Sequence, residues 1–202
     1  MIDRKTQEKW DSAASLFDLI GGFGPEKRWK PHKDRLFSSM EGKILFLAVG
    51  TGLDIPCFPH GKDITGIDIS PKMLEKAEPR VAAYDGQMTA RQMDVHDMDF
   101  TDSAFDQVYT SCTFCSVPHP IRGLSAILRV LKPGGTLRMF EHTGSRVFPF
   151  SLMLDLVNPV CRNLGPELNR DTVANVQAAG FEVRKVVNIY LDIVKTIEAT
   201  AS

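Results

Sequence analysis

The sequence predicts an α/β fold: a parallel sheet covered on both faces by helices, with an N-terminal helical cap. Three observations carry this reading. From about residue 43 onward, short apolar runs alternate with amphipathic segments, the pattern of βαβ units. The first run leads straight into Gly50-Thr51-Gly52, a glycine turn at a strand's carboxyl end. The next two runs end at Asp68 and just before Asp94, so three polar or glycine-bearing positions fall on one rim of the sheet.

Each element has its own justification. Helices are expected over residues 3–20 and 26–39, separated by the Gly21-Gly22-Phe23-Gly24 break, making residues 1–40 a cap on a domain spanning 41–202. Residues 44–47 are apolar at every position, as a strand buried on both faces should be. A second strand is expected over 64–67. Ser70 and Pro71 then form a helix start, with Met73, Leu74, Ala77 and Val81 as its apolar stripe. Strands follow over 89–93 and 105–110. Pro118 opens a helix whose buried face is Leu124, Ile127, Leu128 and Leu131, and Lys132-Pro133-Gly134-Gly135 stops it. A fifth strand covers 136–140. Residues 145–168 read as apolar but irregular, broken by Pro149, Pro159 and Pro166. A helix over 169–179, ended by Gly180, precedes two closing antiparallel strands over 181–187 and 190–197.

Composition bounds the function. The chain has 202 residues, 43% of them hydrophobic, which suits one globular domain. Its net charge of −1 creates no global field toward nucleic acid. Residues 1–10 are polar and lack a signal-peptide core, so the chain reads as cytoplasmic and Cys57, Cys112, Cys115 and Cys161 as reduced thiols. Cys112 and Cys115 have the spacing of half a zinc site, but no second Cys/His pair follows, so no metal is expected.

The rim residues are candidates for holding a nucleoside. Glycines at 50 and 52 permit close backbone approach, Asp68 can accept from ribose hydroxyls, and Asp94 can accept from an adenine amino group. The nicotinamide reading is disfavoured because Ile55 stands where the last glycine of Gly-x-Gly-x-x-Gly belongs.

Leu47-Ala48-Val49-Gly50-Thr51-Gly52, Gly66-Ile67-Asp68-Ile69-Ser70, Phe105-Asp106 and Leu131-Lys132-Pro133-Gly134-Gly135 resemble the motifs of class I S-adenosylmethionine-dependent methyltransferases, in the branch acting on ubiquinone precursors and related small molecules. The resemblance covers about residues 42–142. It implies a Rossmann-like seven-stranded sheet with one antiparallel strand at the edge, S-adenosylmethionine as cofactor, and cofactor contacts at Gly50, Gly52, Asp68, Ile69, Asp94 and Val95. Val49, Met73 and Ser111 complete the expected cofactor set, with Phe17 and Trp29 as cap residues that either cover the site or pack in the core. Two positions depart from the family: Ala48 replaces a usual acid, and Leu53 a frequent glycine. Asp54 is therefore the candidate for the cofactor's amino group. The stretch Ser111-Cys112-Thr113-Phe114-Cys115-Ser116-Val117-Pro118, with Phe140-Glu141-His142, resembles thiol methyltransferase-like proteins. The Gly50 region and chain length resemble bacterial phospholipid N-methyltransferases.

Methyl transfer to an amine or thiol needs a proton acceptor. Glu141 and His142 lie at the right rim, with His142 preferred because imidazole titrates near neutrality, unless it only satisfies the loop backbone. The segment 25–37 carries Lys27, Arg28, Lys30, Lys33 and Arg35 around Trp29, against Glu26 and Asp34, a composition suited to an anionic lipid surface. The expected acceptor is small, lipophilic or lipid-linked, such as a phospholipid amine. A small thiol is the alternative acceptor, and a degenerate cofactor-binding partner subunit the alternative role. Nucleic acid is not an expected partner: no Asn-Pro-Pro-aromatic run is present.

Overall fold

A computed structural model describes residues 2–21, 25–164 and 167–201. Residues 22–24 of the expected glycine break, Pro166, and the side chains of Lys27 and Cys161 lie outside the described set. The elements in chain order are α1 (Arg4–Gly21), α2 (Pro25–Phe37), β1 (Lys43–Leu47), β2 (Asp63–Asp68), α3 (Pro71–Ala82), β3 (Gln87–Gln92), β4 (Phe105–Ser111), α4 (Pro120–Val130), β5 (Leu131–His142), α5 (Phe150–Leu164), α6 (Thr172–Ala178), β6 (Glu182–Tyr190) and β7 (Val194–Thr200).

The strands form one sheet in the order β3-β2-β1-β4-β5-β7-β6. Pairing is parallel from β3 through β5, and β7 runs antiparallel to both β5 and β6. The antiparallel strand is therefore second from the edge, and β6 forms the edge itself, a correction to the expected arrangement. Side chains of β1 alternate between two cores. Leu45 and Leu47 join a cluster with Leu124 and Ile127 of α4 and Val176 of α6. Ile44 and Phe46 join another with Phe37 of α2 and Ala77 of α3. In the second core Phe37, Phe46 and Phe58 meet edge to face, at 4.9–5.8 Å between centroids. The Ser70 hydroxyl accepts from Met73 N at 3.1 Å, the predicted cap.

Four local expectations are corrected. Helix α4 starts at Pro120, not Pro118, because residues 112–118 are used to wall a cavity and His119 takes the capping position. The segment read as irregular folds as α5; Pro149 precedes the first turn, where a missing N–H costs nothing, and apolar residues on both helix faces hide the periodicity. Helix α6 starts after Asp171, whose carboxylate accepts from Ala174 N at 3.0 Å. The β6–β7 turn falls at Leu191 and Asp192, later than expected. Both residues have left-handed φ (47° and 57°), with Ile193 N donating to Tyr190 O at 2.8 Å.

Of the two N-terminal helices, α1 packs against α3, whereas α2 packs on the sheet in the second core. On α1, Asp11 Oδ1 accepts from the Ser70 hydroxyl at 2.5 Å. Trp29 of α2 packs on Phe140 and Tyr190, at 5.9 and 6.0 Å between centroids. The basic run of α2 is not one solvated face. Lys33 is buried and pairs with Asp54 at 2.6 Å, and Lys30 pairs with Asp34 at 2.7 Å. Among the described residues, no helix is long and apolar enough to cross a membrane.

Candidate active site

The strand order reverses between β1 and β4, and outside their carboxyl ends lies a cavity of about 390 Å³. Much of its wall is apolar, built by Leu47, Ile67, Met73, Met93, Val95 and Val117. Thr6, Trp10 and Phe17 of α1 form its cover. Phe17 sits edge-on to Trp10 at 6.3 Å, and its Cε1 lies 4.0 Å from where a Gly50 Cβ would stand.

The glycine loop is shaped by left-handed backbone at Ala48 (φ 55°), Gly50 (φ 57°) and Gly52 (φ 85°). Gly50 faces the cavity. Val49 and Gly52 do not line it: Val49 is buried beneath the loop, and Gly52 faces Ile55 and Arg80. Gly66, on the neighbouring strand, makes room for this fold-back. A Cβ there would meet Val49 Cγ2 at 2.5 Å.

Asp68 is 7% exposed and lines the cavity. Its Oδ2 accepts from Gly50 N and its Oδ1 from Ser70 N, each at 2.8 Å. Burial raises its pKa, and the backbone N–H groups pull the other way. Ile69, Met73 and Val95 line the wall as expected. Asp94 is there too, but more fully engaged than its sequence role suggests. Its Oδ2 accepts from Asp3 N at 3.0 Å, while Oδ1 takes His96 N at 2.9 Å and faces His96 Nδ1 at 2.7 Å. Burial opposes ionisation, yet these hydrogen bonds outweigh it and hold the carboxyl down at about 2.

Ser111, Cys112, Thr113 and Cys115 supply the wall beyond β4. Cys112 adopts φ 51° and its N–H donates to Phe140 O at 2.7 Å. This turn is pinned by Glu141, which is fully buried and outside the cavity lining. Glu141 Oε1 accepts from Thr110 Oγ1 at 2.7 Å and Thr113 N at 3.1 Å, and Oε2 from Phe114 N at 3.0 Å. Burial pushes its carboxyl up to about 7. Expected beside His142 as a candidate base, it stands behind the cavity wall, hydrogen-bonded to the turn that forms the wall. His142 does line the cavity. Its Nδ1 is enclosed without a hydrogen-bond partner among the described residues, and burial lowers its pKa, which favours the neutral imidazole. Asp54, engaged with Lys33, and Trp29, tilted against Phe140, both lie outside the lining.

A methyltransferase-domain profile matches residues 45–139. The chain is 34% identical over 120 residues to a phosphatidylethanolamine N-methyltransferase of Cereibacter sphaeroides, covering 58% of this chain and 57% of that one. It is 32% identical over 156 residues to a ubiquinone/menaquinone biosynthesis C-methyltransferase of Geotalea daltonii, covering 72% and 66%. It is also 32% identical over 160 residues to a thiol S-methyltransferase of Rattus norvegicus, covering 74% and 64%. This chain belongs to the S-adenosylmethionine-dependent methyltransferases.

The chain spans between 57% and 66% of the length of these relatives. A solved structure described as a possible histamine N-methyltransferase of Thermotoga maritima shares its fold, with a TM-score of 0.74 at 17% identity over 96% of this chain and 99% of that one. The residues present fit the family's cofactor, S-adenosylmethionine. An ionised carboxylate offers about four acceptor positions; Asp68 spends two on Gly50 and Ser70 and can turn the others to ribose hydroxyls. Residues that sequence reasoning missed are Thr6 and Trp10 in the cover, Gly66 behind the loop, and Leu168 at the wall. Of these, Gly66 alone carried a signal, its place in Gly66-Ile67-Asp68.

Proposed function

We propose that this methyltransferase moves a methyl group from S-adenosylmethionine to the amine of a lipophilic or membrane-lipid acceptor. One observation carries the reading: the Asp68–Gly50 cradle and His142, whose neutral form burial favours, open into the same, largely apolar cavity. Bound there, the cofactor supplies an electrophilic methyl on a sulfonium leaving group. The chain's own residues do the rest. Asp68, Gly50 and the wall at Met73 and Val95 hold and orient the nucleoside. The α1 residues Trp10 and Phe17 exclude water. His142 takes the proton that an ammonium or thiol must lose before attack. The apolar wall favours an acceptor with a hydrocarbon part, and the phosphatidylethanolamine N-methyltransferase relative supports an amine. A thiol acceptor is the second reading, supported by the thiol S-methyltransferase relative, and it makes the same demand on His142. Membrane contact through residues 25–37 belongs to this proposal, resting on exposed Arg28 and Arg35 rather than on the paired Lys30 and Lys33.

The test is an acceptor screen with labelled methyl donor, comparing phosphatidylethanolamine vesicles, small thiols and quinols. Label in the phospholipid supports the amine reading, and label confined to the thiols replaces it. Calorimetric titration with S-adenosylmethionine and separately with NADH tests the cofactor. Binding of NADH alone refutes the proposal.

A further inference from the structure

We propose that the outer face of α5, with the loop before it and the tip of the β6–β7 hairpin, seats on a lipid bilayer. Helix α5 is apolar on both sides. Leu154 points inward and is 5% exposed, whereas Leu152 and Leu156, and beside them Met153 and Val157, form two i,i+4 rows on the outside. Leu156 is 71% exposed and Phe148, just ahead of the helix, 77%. A stripe of large apolar side chains facing water marks a partner surface rather than a solvated helix face.

The surroundings favour a bilayer as the occupant. The hairpin tip is stitched to this loop, with Arg146 N donating to Asp192 Oδ2 at 2.7 Å and the Ser145 hydroxyl 3.5 Å from Leu191 O. Exposed Leu191 therefore extends the apolar face. Next to it, the Arg28 guanidinium lies 3.9 Å from the centre of the Tyr190 ring, and Trp29 meets the same ring edge to face. Aliphatic side chains bordered by an Arg, Tyr and Trp cluster match the chemistry of a hydrocarbon boundary and its headgroup layer. Arg28 and Arg146 complement anionic headgroups, although Arg146 also pairs with Asp171 at 2.7 Å. Asp155, the one acid of α5, is engaged by Asn169 Nδ2 at 2.8 Å.

The face is also continuous with the active site. Asn158 of α5 accepts from Leu168 N at 2.7 Å, and Leu168 lines the cavity. Delivery of a lipid acceptor by this route rests on the function proposed above, whereas the membrane seat stands without it.

Co-sedimentation of the full chain with phosphatidylglycerol/phosphatidylcholine vesicles tests the seat. The wild type should bind, and Phe148→Ser/Leu156→Ser should bind at least about tenfold more weakly, since each change removes a large buried apolar side chain from the bilayer. S-adenosylmethionine affinity should be unchanged, which shows that the variant is folded. Ile121→Ser, an exposed apolar site on α4, should bind vesicles like the wild type. In a second measurement, Phe148→Trp emission should shift to the blue on vesicles. Equal binding by the double variant, no binding by the wild type, or no blue shift overturns the seat. So does a wild-type dimer in vesicle-free buffer that the double variant dissolves into monomers, which would assign the face to a second copy. Vesicle binding without methylation of phosphatidylethanolamine supports the seat and counts against the lipid-amine acceptor.

Discussion

The backbone N–H of Asp3 donates to Oδ2 of Asp94 at 3.0 Å, joining the start of α1 to the loop after β3 across 91 residues. Asp3 in turn anchors its own helix, accepting from Lys5 N at 3.1 Å and Thr6 Oγ1 at 2.6 Å. The acid expected at the adenine end is thus also the latch of the cap that carries Trp10 and Phe17. Asp94→Ala should speed amide hydrogen exchange along the first turns of α1. It should also weaken S-adenosylmethionine binding by about tenfold or more, on the scale of a lost charged hydrogen bond of about 1.5–3 kcal/mol. Unchanged exchange in α1 would show that the cap is held elsewhere. Because the folded carboxyl sits at about 2, below its ordinary value, this latch is present above pH 4 and is lost as pH falls toward 2.

Glu141 titrates in the opposite sense. Its folded carboxyl sits at about 7, above the ordinary 4.5, so the native state holds its proton more tightly than the unfolded chain. Its contribution is fully present below pH 4.5 and is lost as pH rises through 7, on the order of 3 kcal/mol across that window. Glu141→Gln removes this dependence but turns an amide N–H₂ against backbone donors, and should cost about 1–3 kcal/mol. Melting temperatures of wild type and variant between pH 4.5 and 7.5 check both. The gap between them should narrow as pH rises, with turnover of the folded variant largely kept. A loss of turnover with unchanged stability would restore Glu141 to the chemistry.

The sheet and its rim were largely legible because their signals are local. Wholly apolar runs, the Ser70-Pro71 start and the glycine turn each act within a few residues. Positions set by long-range packing were hidden. Glu141 and His142 are adjacent on β5, and strand alternation sends one beneath the wall and the other into the cavity. Asp54 is taken by a lysine 21 residues earlier. The turn at Leu191 left no mark because leucine does not advertise a left-handed φ. Helix α5 was masked because its apolar residues surround it, which is also why its outer face stands out once folded.

Gly66 tests how the loop is held. Alanine there would put Cβ 2.5 Å from Val49 Cγ2, so the Val49 side chain must shift against the loop that leads into Gly50. Gly66→Ala should lose about 1–3 kcal/mol of stability through overpacking. It should also bind S-adenosylmethionine about tenfold more weakly, and relieving the clash with Val49→Ala should recover part of that affinity. Failure of the double variant to recover any would mean that the clash is absorbed elsewhere in β2.

His142 separates chemistry from binding. Its imidazole faces the cavity, keeps one buried nitrogen unpaired among the described residues, and burial lowers its pKa toward the neutral form. A neutral imidazole is the form that accepts a proton, so wild-type turnover should stay level through neutral pH and fall only below the ordinary histidine range. His142→Gln keeps a polar side chain of similar reach without a titrating base. It should lower kcat by about 10²–10⁴-fold, remove the acid limb of the pH profile, and leave the Kd for S-adenosylmethionine unchanged. Single-turnover rates with saturating acceptor give the cleanest reading, because product release then drops out. If His142→Gln turns over at near wild-type rates with the same pH profile, the imidazole is wall packing, and the acceptor must arrive already deprotonated.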